Sequence, residues 1–158
     1  MDLISLLGLF GFFAANVAAA LSGAFFRPGE WYRGLAKPRW NPPDWLFGPA
    51  WAVLYTMIAV AGWLVWREHG VFGAAAALAA YGVQLLLNAA WSAIFFGLRR
   101  PDLAFAEVVV FWVAILVTVV LFWPLQRIAA LLLLPYLAWV AFAGVLNLTL
   151  WRMNAGRA

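Results

Sequence analysis

The chain reads as an all-α membrane protein, a five-transmembrane-helix bundle. Three observations carry that reading. Of its 158 residues, 68% are hydrophobic, and mean hydropathy is +0.95; a soluble domain is nearer half apolar. The apolar residues gather into five runs, each reaching the roughly 20 residues that cross the hydrocarbon core of a bilayer. The runs are continuous rather than alternating, so they predict helices, which satisfy their own backbone polar groups in lipid. The length suits a single domain, 1–158.

The first run is Leu3–Phe26. Its start, MDLISLLGLFGFF, has no basic cluster and no cleavage signature, so it is expected to be a retained span rather than a signal peptide. Pro28-Gly29 ends it. A polar, proline-rich segment follows, and the stretch from Trp31 to Trp51 holds four tryptophans. A rigid, aromatic, charged loop between apolar helices suits the roof of a pocket. The second run is Leu46–Trp66, where Asp44 is placed to cap the helix and Pro49 suggests a later start for its regular part. Arg67-Glu68-His69-Gly70 separates it from the third, Val71–Leu98. Arg99-Arg100-Pro101-Asp102 leads to the fourth, Leu103–Trp123, which Pro124 is expected to stop. The fifth is Ile128–Trp151, with a kink expected at Pro135, whose ring removes a backbone hydrogen bond.

Charge fixes an expected orientation. Eight basic residues (Arg27, Arg33, Lys37, Arg39, Arg99, Arg100, Arg152, Arg157) fall on the side of the first loop and C-terminus, against two (Arg67, Arg127) on the other. The positive-inside rule places the first loop and the C-terminus in the cytoplasm. The net charge of +4 points to this topology rather than to nucleic acid, since only 10% of residues are charged. The absence of cysteine removes disulfides, thiol chemistry and thiolate metal sites. His69 is the single histidine and reads as a solvated turn residue, so paired-histidine haem ligation is excluded.

Polar groups inside spans are costly and therefore informative. On the third run Tyr81, Gln84, Asn88 and Ser92 share one helical face, and Tyr136, Trp139, Ala143 and Asn147 repeat the same offsets on the fifth. Two matching stripes suggest a common cavity, with Trp51 and Tyr55 near its mouth and Asn16 and Ser22 as further interior groups. The plainer reading of Asn16 and Ser92 is hydrogen bonding between helices without a ligand. Trp66, Trp123 and Trp151 read as interfacial belt residues. Trp139 lies mid-span and is expected to face the cavity and find a partner for its N–H. Glu107 is expected to reach the interface or pair with Arg99 or Arg100. Gly11, Ala15, Ala19 and Gly23, and separately Ala89, Ala93 and Gly97, form small-residue ladders that suit close packing either within the bundle or between subunits. No Ser–His–Asp set, metal cluster or phosphate-cradling glycine loop occurs, which argues against a conventional enzyme. The implied pocket takes a flat, largely apolar ligand with polar edges, such as a porphyrin, whose carboxylates basic loop residues attract; sterols fit its apolar part.

The chain resembles the translocator protein (TspO/MBR) family, also called tryptophan-rich sensory proteins or peripheral-type benzodiazepine receptors. The resemblance rests on Trp31-Tyr32, on KPRWNPPDWLFGPAW (37–51), on QLLLNAAWSAIFFG (84–97), and on PYLAW (135–139) with Leu146-Asn147 beyond it. It implies five spans around a ligand cavity closed by the first loop, a homodimer, and binding of porphyrins such as protoporphyrin IX, of sterols, and of synthetic isoquinolines or benzodiazepines. It implies a role in tetrapyrrole handling and stress responses. Trp51, Gln84, Asn88, Trp91, Trp139, Ala143 and Asn147 match the family's cavity, and Tyr32 with loop tryptophans such as Trp40 matches its lid. Trp51 and Trp139 match the pair implicated in light- and oxygen-dependent porphyrin breakdown. The sequence departs from the family's sterol motif, since Leu148 stands where that motif needs Tyr. The main expectation is therefore a porphyrin receptor or transporter in a bacterial-type membrane, with no resident cofactor and no metal. A porphyrin-degrading activity and a regulatory membrane scaffold are the alternatives.

Overall fold

The computed structural model describes residues 2–156; Arg157, counted above among the basic residues, lies outside them. The elements are α1 (Leu3–Phe25), α2 (Glu30–Gly34), α3 (Asp44–Gly73), α4 (Ala75–Ser92) continued by a π-helical turn (Ala93–Gly97), α5 (Pro101–Leu125) and α6 (Arg127–Asn154). Five of these helices are long and apolar enough to span a bilayer. They close into a ring in the order α1, α3, α6, α5, α4.

The helix ends differ from expectation for local reasons. Asp44 does not cap α3; Pro43 holds that position without a side-chain hydrogen bond, and the helix begins ahead of Pro49. Pro49, the sixth helical residue, gives up one intrahelical bond, to the Trp45 carbonyl, and the helix continues through it. At the other end α3 runs through Arg67–His69 and breaks at Gly70, where φ is +67°. Only glycine takes that conformation cheaply. His69 is not a solvated turn residue: its Nε2 lies 3.0 Å from the Leu125 carbonyl and ties the ends of α3 and α5. Pro124 falls inside the last turn of α5, which ends at Leu125. Gln126 alone reverses the chain, its side chain accepting from the Ile128 N–H to cap α6. α6 then runs as one helix through Pro135.

The half of the bundle away from the first loop is solid. Ile58, Ala61 and Val65 of α3 meet Ile115 and Phe122 of α5 and Ala129, Ala130 and Leu133 of α6. Lipid tails are as apolar as these side chains, so dispersion and interhelical hydrogen bonds hold this half together rather than escape from water. Gly62 lets α1 and α4 close in; a Cβ there would lie 2.7 Å from the Phe12 and Tyr81 rings. Asn16 acts as an interhelical hydrogen-bonding group, its amide donating to Tyr81 Oη (2.7 Å) while the Tyr81 hydroxyl donates to the Ile58 carbonyl (3.2 Å). Both small-residue ladders have members working inside the subunit. Gly97 receives Phe26 at a distance (2.8 Å from a would-be Cβ) that no side chain tolerates, Gly23 faces Ser92, and the Ser22 hydroxyl donates to the Ala89 carbonyl.

Candidate functional site

The half of the bundle nearest the first loop is hollow. A cavity of about 480 Å³ lies there, walled by all five spans and by α2. That volume suits a small-molecule site. Seven of the nine residues singled out in the sequence line it: Tyr32, Trp51, Asn88, Trp91, Trp139, Ala143 and Asn147.

Two do not. Trp40 lies outside the wall, 47% exposed, with its ring edge-on to Phe142 at 6.0 Å. Gln84 sits beneath the floor. The Tyr55 hydroxyl donates to Asn88 Oδ1 (2.6 Å), Asn88 Nδ2 donates to Tyr136 Oη (2.9 Å), and the Tyr136 hydroxyl donates to Gln84 Oε1 (2.7 Å). This chain runs from the cavity into packed protein and fixes the floor's shape. Asn88 keeps a second amide hydrogen for a ligand. The other amide in the wall, Asn147, accepts from Trp91 Nε1 (3.1 Å) and donates to the Pro101 carbonyl (2.7 Å), pinning α4, α5 and α6 together.

The indoles divide by their N–H groups. Trp91 uses its own on Asn147, whereas those of Trp51 and Trp139 have no partner among the described residues. The partner expected for the Trp139 N–H is not found among the described residues. Trp51 lies 5.3 Å from Tyr55 and 6.2 Å from Tyr136, and Trp139 lies 6.0 Å from Phe47. Both indoles line the cavity and add aromatic surface to its wall.

The roof is the first loop. α2 places Tyr32 over the π-helical turn, with its ring 5.5 Å from Phe96 and 6.2 Å from Phe95; Trp31 adds an edge contact to Phe95 at 5.8 Å. Consecutive Phe95 and Phe96 on this turn both line the cavity wall. Lys37 donates to the Tyr32 carbonyl (2.7 Å) and closes the last turn of α2. Burial, and then the charge of Asp44, raise the Tyr32 phenol above its ordinary pKa, so it stays neutral.

Among the described residues the cavity wall holds one charged side chain, Asp44, and no basic loop residue. One charged-residue expectation needs correction. Glu107 neither reaches the interface nor pairs: both carboxylate oxygens are buried without a hydrogen-bond partner among the described residues. Arg100 instead binds Asp102 at 2.6 Å. Ser92, read as an interhelical hydrogen-bonding group, lines the cavity. Phe47, Phe95, Phe96, Val108 and Phe111 also line it and were not foreseen, because an apolar residue in a membrane chain carries no mark of whether it faces lipid or a hollow. The two phenylalanines of the π-helical turn lie within a quoted motif, QLLLNAAWSAIFFG, but its helical period gave them no common face.

Five spans around a roofed, aromatic hollow define a multi-pass integral membrane protein with an internal cavity. Comparison with known proteins narrows the class. The TspO/MBR family profile matches residues 11–152. Protein CrtK of Rhodobacter capsulatus is 40% identical over 150 residues, covering 92% of this chain and 91% of that protein. The human translocator protein is 42% identical over 151 residues (92% and 89%), and tryptophan-rich protein TspO of Chlorobaculum tepidum 39% over 145 (87% and 90%). The chain belongs to the TspO/MBR family.

Proposed function

We propose that this protein is a membrane receptor or transporter for porphyrins, with protoporphyrin IX as the representative ligand and a role in tetrapyrrole handling and stress regulation. One observation carries the reading. Trp51 and Trp139 line the same roofed cavity with indole N–H groups that have no partner among the described residues, and its floor adds the spare Asn88 amide. A flat macrocycle slots between indoles, and its polar edge meets those donors. The relatives named translocator protein and tryptophan-rich sensory protein support a ligand-handling role over a purely structural one. The first loop and C-terminus face the cytoplasm in this proposal, and the protein assembles as a homodimer of 17.5-kDa subunits.

Titration of the purified protein with protoporphyrin IX, followed by quenching of tryptophan emission, tests the site. The Trp51→Phe, Trp139→Phe double variant is expected to bind about tenfold more weakly, chiefly through the loss of two indole N–H donors. Binding indistinguishable from wild type would remove the assigned cavity. A second reading, breakdown of the bound porphyrin under light with dioxygen as oxidant, is favoured by Trp51 and Trp139 both lining the one cavity. Illumination with spectra followed over time separates it: porphyrin bands that fade equally fast without protein leave binding alone.

A further inference from the structure

The geometry points to Asn154 as the latch that holds the first loop shut over the cavity, and so to a positioning residue that sets the rate of ligand exchange. The inference deepens the proposed function and, in its kinetic part, rests on it.

Asn154 is the last residue of α6. Its Oδ1 accepts from the Ala36 N–H at 2.9 Å, and its Nδ2 donates to the Ala36 carbonyl at 3.0 Å. A second donation from Nδ2 reaches the Leu150 carbonyl at 2.8 Å, one turn back on its own helix. The side chain is thus anchored to α6 while its free edge pairs with both backbone groups of one loop residue. This is the pairing one strand offers another, made by a side chain. It needs a donor and an acceptor in one plane, which only a carboxamide supplies.

The clamp grips where a hinge would be. Ala36 lies one residue beyond the Leu35 cap of α2, whose Tyr32 covers the cavity, and directly precedes Lys37, which closes α2. On the other side Leu150, the carbonyl partner of Asn154, lines the cavity. Aromatic contacts to Phe95 and Phe96 seat the lid against α4, and Asn154 fastens it to α6. The aromatic seat fits many loop positions; the two hydrogen bonds fit one. Loosening them frees the loop without touching a residue of the cavity wall.

Asn154→Ala and Asn154→Asp test the latch. Asp keeps the size and shape of Asn but cannot donate, and it sets a carboxylate against the Ala36 carbonyl. A latch therefore fails in both variants, whereas a packing role survives in Asp. Backbone amide exchange over residues 30–43, measured without ligand in lipid nanodiscs, is expected to speed up about tenfold in both, the net worth of two ordinary hydrogen bonds. Exchange within α4 and α5 is expected to stay at wild-type rates. Stopped-flow mixing with protoporphyrin IX is expected to show association and dissociation rising together, about tenfold each, with Kd within about threefold of wild type. A damaged fold does not raise an association rate. Loop exchange at the wild-type rate in either variant would overturn the latch. Faster loop exchange with unchanged binding rates would overturn its control of ligand exchange. A wild-type protein that binds no porphyrin contradicts the proposed function and leaves the amide-exchange result to decide the latch alone.

Discussion

Tyr136 shows how much one buried hydroxyl does between apolar helices. It is fully buried, accepts from Asn88 and donates to Gln84, and so links the cavity floor to the packed half. Tyr136→Phe leaves an amide N–H and a carbonyl oxygen unpartnered. The expected cost is about 1–2 kcal/mol, read as a lower Tm in detergent. An unchanged Tm would mean that Asn88 and Gln84 find each other or water instead. Asp44 makes the opposite kind of contribution. As the charged member of the wall it repels a carboxylate at the mouth, where solvent screening keeps the effect small. Asp44→Asn is expected to tighten binding of protoporphyrin IX about twofold to threefold and to leave its dimethyl ester unaffected. Equal gains for both ligands would place the charge effect elsewhere. Trp40 and Gln84 mark where reading residues from sequence stopped short. Trp40 belongs to an irregular proline-rich loop with no period to orient it. Gln84 shares a stripe with Asn88, but the bundle changes from hollow to packed between them, and no pattern along the chain records that change.

At the scale of elements, all five spans were legible because length and continuous apolarity in lipid leave only helices. Their ends were less legible. The second span runs from Asp44 to Gly73, beyond both expected limits: the helix starts ahead of Pro49 and continues through it, and Gly70 breaks the helix later than the charged triplet before it. The five residues of α2 are too few to show a period, and the π-helical turn breaks the very period used to assign faces. Glycines separate close packing from open surface within α1 and α3. Gly62→Ala drives a methyl into the Phe12 and Tyr81 rings and is expected to cost about 1–3 kcal/mol. Gly11→Ala meets open space and is expected to be neutral or to stabilise α1 by up to about 1 kcal/mol. Equal effects of the two on thermal stability would contradict the packing between α1, α3 and α4.

The whole molecule is a ring of helices, solid at one end and hollow at the other, with the roof supplied by the chain between the first two spans. The solid end fixes the helix spacing; the hollow end uses that spacing to keep indoles apart. Eleven tryptophans make this claim directly measurable. Labelling with 5-fluorotryptophan and recording fluorine spectra during titration with protoporphyrin IX reports each indole by its own resonance. A porphyrin seated in the cavity is expected to shift Trp51, Trp91 and Trp139 strongly through its ring current, and to leave Trp66, Trp112 and Trp123 in place. Large shifts at those three outer positions, with the cavity indoles unmoved, would contradict the account.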